Sequence, residues 1–433
     1  MALLAKRTVQ YNLLLILIVA ASCLRVFVCF QHNPMDYLGS DMARHWDNGL
    51  HFPRGGYNAG ADPIGYQVYV FVLQKLTAGN RFLVAAACSL LSVLMPWTFY
   101  RAARNFGLAK IPSLWVWALI GWTPSLVVIF HFIMMETLLL LLEGVALWTT
   151  ARYLRKGGTK PFLLSTFCWM LAILTKPTVI PLAGICFLWA WWKRSTPLRD
   201  IAVGAVLATS MLVPHAVRTK LELGFIAPFG NTWLPRIALR AGTRTISFHF
   251  YRFDGGDETL VFGNPSCFIR PLEPASHWAM RRAWGESNAS FTIMAAHGER
   301  DWKEVYERFN HDPAEWWAQW RENIILFFFA PSWPETAVGE WDGHFEYRGR
   351  WLWAPLTLFV FVCNLRGFAR RRFDLIPVAV TLFTLFMALQ NLAILEGRYR
   401  KPVEPLLLLN LVWVLSSRNA GALPTGEPGL APA

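Results

Sequence analysis

Apolar residues fall in long blocks along this chain, separated by short polar and basic intervals. A membrane-crossing helix needs about 20 consecutive apolar residues. Ten stretches come near that length, at approximately 10–30, 81–100, 111–130, 133–151, 162–176, 177–192, 200–217, 351–367, 374–395 and 402–417; the fifth, sixth and tenth are short. The pattern predicts an all-α polytopic membrane protein of about ten transmembrane helices. It divides into an N-terminal transmembrane module (1–217), a polar segment (218–350), C-terminal transmembrane helices (351–417) and a disordered, turn-rich tail (418–433). The first apolar run lacks a clear small-residue cleavage site, so it reads as an uncleaved helix with Lys6 and Arg7 inside.

Charge fixes the expected orientation. The chain is 16% charged, against roughly 25% in soluble domains, yet its formal net charge is +13. The basic residues cluster in "RAARNFG" (101–107), "ARYLRKGGTK" (151–160), "WKRSTPLR" (192–199) and "RGFARRR" (366–372). Strict alternation from an inside start puts each of these on the cytoplasmic side of a cytoplasmic (inner) membrane, so the excess reads as a topology signal and not as a nucleic-acid patch. Segments 31–80 and 218–350 are then outside. Within the first, 41–50 reads as a short amphipathic helix, and Pro63 opens a second over 64–77, too short to span and carrying Tyr66, Tyr69 and Lys75, which suits an interfacial position. The second segment reads as a mixed outer insertion; near its end Asp312, Pro313 and Glu315 announce a helix running to the membrane surface.

Six of the seven cysteines lie in apolar runs and Cys267 stands in polar sequence, so no disulfide framework or zinc spacing is visible. There is no Walker loop, no Rossmann glycine fingerprint and no HExxH. No cofactor is called for; a divalent cation is compatible with the sequence but not indicated by it.

Three polar constellations remain. In "SDMARHWDNG" (40–49) a helical rotation of 100° per residue gathers Asp41, Arg44, His45 and Asn48 on one side and Met42, Ala43, Trp46 and Leu50 on the other. The same spacing also suits a solvated Asp41 at a helix start paired with His45 at i,i+4. "LTKPT" (174–178) sets Lys176 between two apolar runs, and "ILEGRYRKPVEP" (394–405) does the same with Glu396, Arg398, Tyr399, Arg400 and Lys401. Charges at such junctions are functional candidates, with snorkelling as the ordinary alternative. "HFIMMETLLLLLEG" (131–144) adds Glu136 and Glu143, either able to orient a cation, with helix packing equally open to Glu143. Arg25, inside the first apolar run, is expected to pair with one of these acids. A sequon at Asn288 and the tryptophans Trp316, Trp317 and Trp320 are weaker signals, the latter suited to interfacial anchoring.

Taken in order, "SDMARHWDNG", "PIGYQVYVFVLQKL", "YRAARNFG", "METLLLLLEG", "LTKPT" and "EGRYRKPVEPLLLL" resemble the polytopic glycosyltransferases of the GT-C fold. The resemblance is to bacterial relatives of the dolichyl-phosphate-mannose protein mannosyltransferases and of the lipid A aminoarabinose transferases. It spans most of 10–195 and 374–417. It implies inverting transfer of a sugar from a polyprenyl-phosphate donor to a glycan, lipid or protein acceptor at the outer face, with Asp41 at the position of the family's base. Under it, Lys176, Arg398 and Arg400 meet the departing phosphate, Tyr399 hydrogen-bonds it, and Arg44, His45, Glu136 and Glu396 complete the substrate site. The chain differs from many relatives in having Met42 after the acid and Gly397 between Glu396 and Arg398. The alternative from another class is a transporter or flippase of an anionic lipid or solute, against which stand the lack of an inverted repeat and the surface position of the acidic motif.

Overall fold

The computed structural model describes residues 2–36, 38, 40–53, 62–223, 226, 246–251, 257–262, 289–293, 324, 327–328, 341–389 and 397–419. The architecture is helical. The first helix, α1 (Ala2–Gln31), is followed by α2 (Ser40–Leu50) and α3 (Ile64–Thr77), then α4 (Arg81–Phe106), α5 (Lys110–Trp122) and α6 (Pro124–Val128). Next come α7 (Met135–Lys156), α8 (Thr159–Thr175), α9 (Ile180–Arg194) and α10 (Leu198–Leu223). After the polar segment the chain forms α11 (Trp341–Ala369), α12 (Leu375–Ala388) and α13 (Glu404–Asn419). Within 246–293, strands β1 (Ile246–Tyr251), β2 (Asp257–Phe262) and β3 (Ala289–Ile293) form an antiparallel sheet in the order β2-β1-β3. The helix predicted from Asp312, the sequon at Asn288 and the Trp316–Trp320 cluster lie outside the described residues.

Among the described residues five helices, α1, α4, α7, α10 and α11, are long and apolar enough to cross a membrane, and a sixth if α5 and α6 count as one broken span. Length and composition thus support five or six of the ten spans expected, α8, α12 and α13 being apolar but shorter. The stretch expected as one helix at 111–130 is two, bent by 70°. Pro124 explains the bend: it has no N–H to give Ile120 O, and its ring blocks continuation of α5. Short helices can still cover the rise of a long one. Lys176, just before α9, is bonded to Glu136 at the start of α7, while Arg194 at the end of α9 donates to Leu154 and Arg155 O near the end of α7.

The centre of the core is α4 against α7, flanked by α8. Gly144 permits the close approach: a Cβ there would lie 2.0 Å from Thr98 Oγ1. Small residues at helix contacts serve this purpose where lipid offers no hydrophobic drive. Phe99 packs beside it, its ring carbon 3.0 Å from the same Cβ position.

Arg25 departs from expectation. Among the described residues its partners are not acids but oxygens: Nε donates to Gly121 O (2.9 Å), Nη2 to Ile120 O (2.7 Å), and Nη1 to Ser92 O (2.9 Å) and Ser92 Oγ (3.0 Å). Two of these carbonyls are ones that a proline four residues later leaves without a helical donor, Pro124 for Ile120 and Pro96 for Ser92. One buried guanidinium thus repairs two proline interruptions in neighbouring helices, a demand that is acute where no water reaches.

Candidate functional site

α2 forms as its pattern foretells, but the side that turns inward draws on both predicted faces. His45 and Asn48 are buried with Met42 and Gly49, Asp41 and Arg44 are partly buried, and Ala43 and Leu50 face outward. The solvated Asp41–His45 pair is thereby excluded, since His45 is only 1% exposed. The burial is possible because α3 packs closely on α2. A Cβ on Gly49 would sit 2.6 Å from Val70 Cγ1, and Gln74 Nε2 donates to Trp46 O at 2.7 Å.

The centre of this layer is Asp62, which the sequence reading passed over. Its Oδ2 accepts from Arg44 Nε (2.9 Å) and Asn48 Nδ2 (3.0 Å), and lies 3.6 Å from His45 Nδ1. Gln67 Nε2 donates to Asp62 O at 2.9 Å, and Arg218 of α10 donates to Gln67 Oε1 at 2.7 Å. Arg44 Nη1 then reaches Asp41 Oδ1 at 2.5 Å. One guanidinium therefore bridges two carboxylates, and Asp41 keeps about 20% of its side chain exposed. The overlooked signal was the acid immediately before the proline that opens α3, a position naturally directed toward the preceding helix.

α3 also touches α8, through Gly65: a Cβ there would lie 2.7 Å from Leu174 C and 2.8 Å from Leu174 O. This contact brings the first loop beside Lys176, which stands in extended backbone between α8 and a 3-10 turn at Pro177–Val179. Lys176 Nζ is bonded to Glu136 Oε1, both groups being buried, and lies 5.0 Å from the Tyr399 ring centre. His45 connects the two halves. Its imidazole, edge-on to Tyr66 at 5.1 Å, is held below its ordinary pKa by burial, with Asp62, Asp41 and Glu136 working in the opposite direction and Arg44 with burial. The ring is neutral at pH 7, and neither nitrogen has a hydrogen-bond partner among the described residues.

Asp41, Arg44, His45 and Asp62 thus form one polar group and Glu136, Lys176 and Tyr399 a second, and the α3–α8 contact at Gly65 joins the elements that carry them. Comparison with models of known protein families gives no match, and no curated protein matches the chain.

Arg400 is directed elsewhere. Its Nε pairs with Glu404 Oε1 (3.0 Å) and its Nη1 with Phe327 O (2.5 Å), all within the protein interior. Ser125 Oγ donates to Glu404 Oε2 (2.6 Å), and Lys401 Nζ bonds Ser125 O, so this second network clasps the α5–α6 bend. Glu396 and the side chain of Arg398 lie outside the described residues. Glu143 is buried mid-helix with no hydrogen-bond partner among the described residues. Among them, too, no three His, Cys, Asp or Glu side chains converge as metal ligands.

Proposed function

We propose that the chain is an inverting glycosyltransferase of the cytoplasmic membrane, moving a sugar from a polyprenyl-phosphate donor to an acceptor at the outer face. The observation that carries this reading is the packing of α3 on α8 at Gly65, which sets the loop holding the part-exposed Asp41 against the segment that carries the buried Lys176–Glu136 pair. In a GT-C architecture of ten spans the shorter helices α8, α9, α12 and α13 cross as well, and α8 and α9 run between the two ends of α7.

The chemistry follows from the charges. Asp41 takes the proton of the acceptor hydroxyl as that oxygen bonds to the anomeric carbon, and the C–O bond to phosphate breaks with its electron pair leaving on the polyprenyl phosphate. Arg44 favours the ionised form of Asp41 and, tied to Asp62, fixes its direction. Base catalysis of this kind contributes roughly 10²–10⁴-fold. Lys176 has three N–H donors, and Glu136 occupies one. The others stabilise the departing phosphate, which is worth on the order of 3 kcal/mol. Glu136 makes the buried ammonium tolerable before substrate arrives, since an unpaired buried charge is strongly destabilising. Tyr399 lies beside the same ammonium and lines the leaving-group side. Arg400, committed to Glu404, acts in this scheme through the backbone that carries Tyr399.

The test is transfer from radiolabelled polyprenyl-phosphate sugars in membranes containing the wild-type chain or Asp41→Asn, with equal folded protein in both. The expected loss is at least about a hundredfold. Undiminished transfer by the variant would remove Asp41 as base, and no transfer from any such donor by the wild type would overturn the enzyme and leave the transporter reading.

A further inference from the structure

At the far end of α13 from this cluster, roughly 14 Å along the helix beyond Glu404 by the rise of 1.5 Å per residue, lies a second polar cavity. Its volume is about 330 Å³, and Arg366, Arg370 and Arg372 line it together with Asn364, Asp374 and Trp413. Among the described residues, none of the three guanidinium groups is held by a hydrogen bond or an ion pair. The one acid, Asp374, is engaged by Trp413 Nε1 at 3.3 Å, and although it stands at the N-cap of α12 it makes no cap bond.

The turn that gathers the arginines is a defined structure. Arg372 N bonds Gly367 O (3.0 Å) and Arg371 N bonds Phe368 O (2.8 Å), the paired bonds of a Schellman helix end. The position that glycine usually takes is Arg371, with φ 58°. Phe368 and Phe373 stack across the turn at 5.4 Å. Three unpaired guanidinium groups on a braced turn, over the N-terminus of α12, are a site for an anion with several acceptor oxygens.

We propose that this cavity binds a phosphate group. Leu365, Phe373 and Leu415 beside the cavity are exposed and apolar, which suits the headgroup of an anionic glycerophospholipid; a soluble phosphate presents the same chemistry. The site is independent of the transferase cluster.

The full chain in nanodiscs of phosphatidylcholine is the material for the test. Phosphatidylglycerol and phosphatidylcholine of matched acyl chains are compared for retention by native mass spectrometry, and inorganic phosphate for its effect on thermal unfolding. With a lipid source, the wild type prefers phosphatidylglycerol and Arg366→Gln/Arg372→Gln loses that preference by about tenfold or more. With a soluble source, phosphate raises the unfolding temperature of the wild type and not of the variant. Asp374→Asn removes the only negative charge among the described lining residues and is expected to tighten binding several-fold, a gain that misfolding cannot imitate. Equal behaviour of wild type and arginine variant toward both probes, or no gain in Asp374→Asn, would overturn the proposal.

Discussion

Replacing Arg25 by methionine tests whether a charged side chain at membrane depth can be explained by prolines. The substitution preserves the aliphatic stem and deletes every donor to Ser92 O, Ile120 O and Gly121 O. A buried carbonyl left without a donor costs about 1–3 kcal/mol. Relief from burying a guanidinium offsets part of the sum, so the expected net loss is about 2–4 kcal/mol. The explanation makes a sharper claim in a second background. Pro96→Ala returns an N–H to Ser92 O, so one of the two carbonyls orphaned by proline regains a helical partner. In that background the cost of Arg25→Met is expected to fall by about 1 kcal/mol. Unfolding in mixed detergent micelles, followed by tryptophan fluorescence, measures all four corners of the cycle. An identical cost with and without Pro96 would refute the assignment.

Gly65→Ala must move α3 from α8, since its Cβ starts 2.7 Å from Leu174 C and ordinary contact begins near 3.4 Å. Sugar transfer is expected to drop on the order of tenfold or more through misalignment of Asp41 and Lys176, while Gly184→Ala, with nothing within 4 Å, leaves it unchanged. His45 predicts a pH dependence of stability. Its folded pKa lies below the ordinary 6.5, so the unfolded chain binds the proton more readily; its contribution is complete above about 6.5 and lost as pH falls from there through the folded value. Unfolding curves of wild type and His45→Asn are expected to converge in slope as pH rises above that point, and equal slopes below it would exclude the histidine. Arg371→Gly relieves a left-handed conformation and is expected to raise stability by about 1 kcal/mol, read from the unfolding midpoint.

The helices were legible because long apolar runs and amphipathic faces are local properties. Ser40–Leu50 and the start at Pro63 could be read from a rotation angle and a fixed φ. Which side of α2 turns inward could not, because that depends on Asp62 and Glu136 arriving from other segments to receive its polar residues. Asp62 itself was hidden for the same reason: its partners Arg44, Asn48 and Gln67 are recognisable only once α2 and α3 are side by side. Arg25 was misassigned because acids were sought as partners, whereas the carbonyls freed by Pro96 and Pro124 had been in plain view. Arg400 illustrates the limit of motif reading. Its neighbour Glu404, one helical turn on, claims its guanidinium before any substrate does.

The clasp at the α5–α6 bend has a consequence for how the molecule is made. Ser125 is synthesised early, yet the groups that satisfy it, Lys401 and Glu404, follow 276 and 279 residues later. Until they arrive, the kink has α1 and α4 beside it but not the partners of Ser125. The bend formed by α5 and α6 is therefore fastened only once α13 is in place, a late closure of an early-made break.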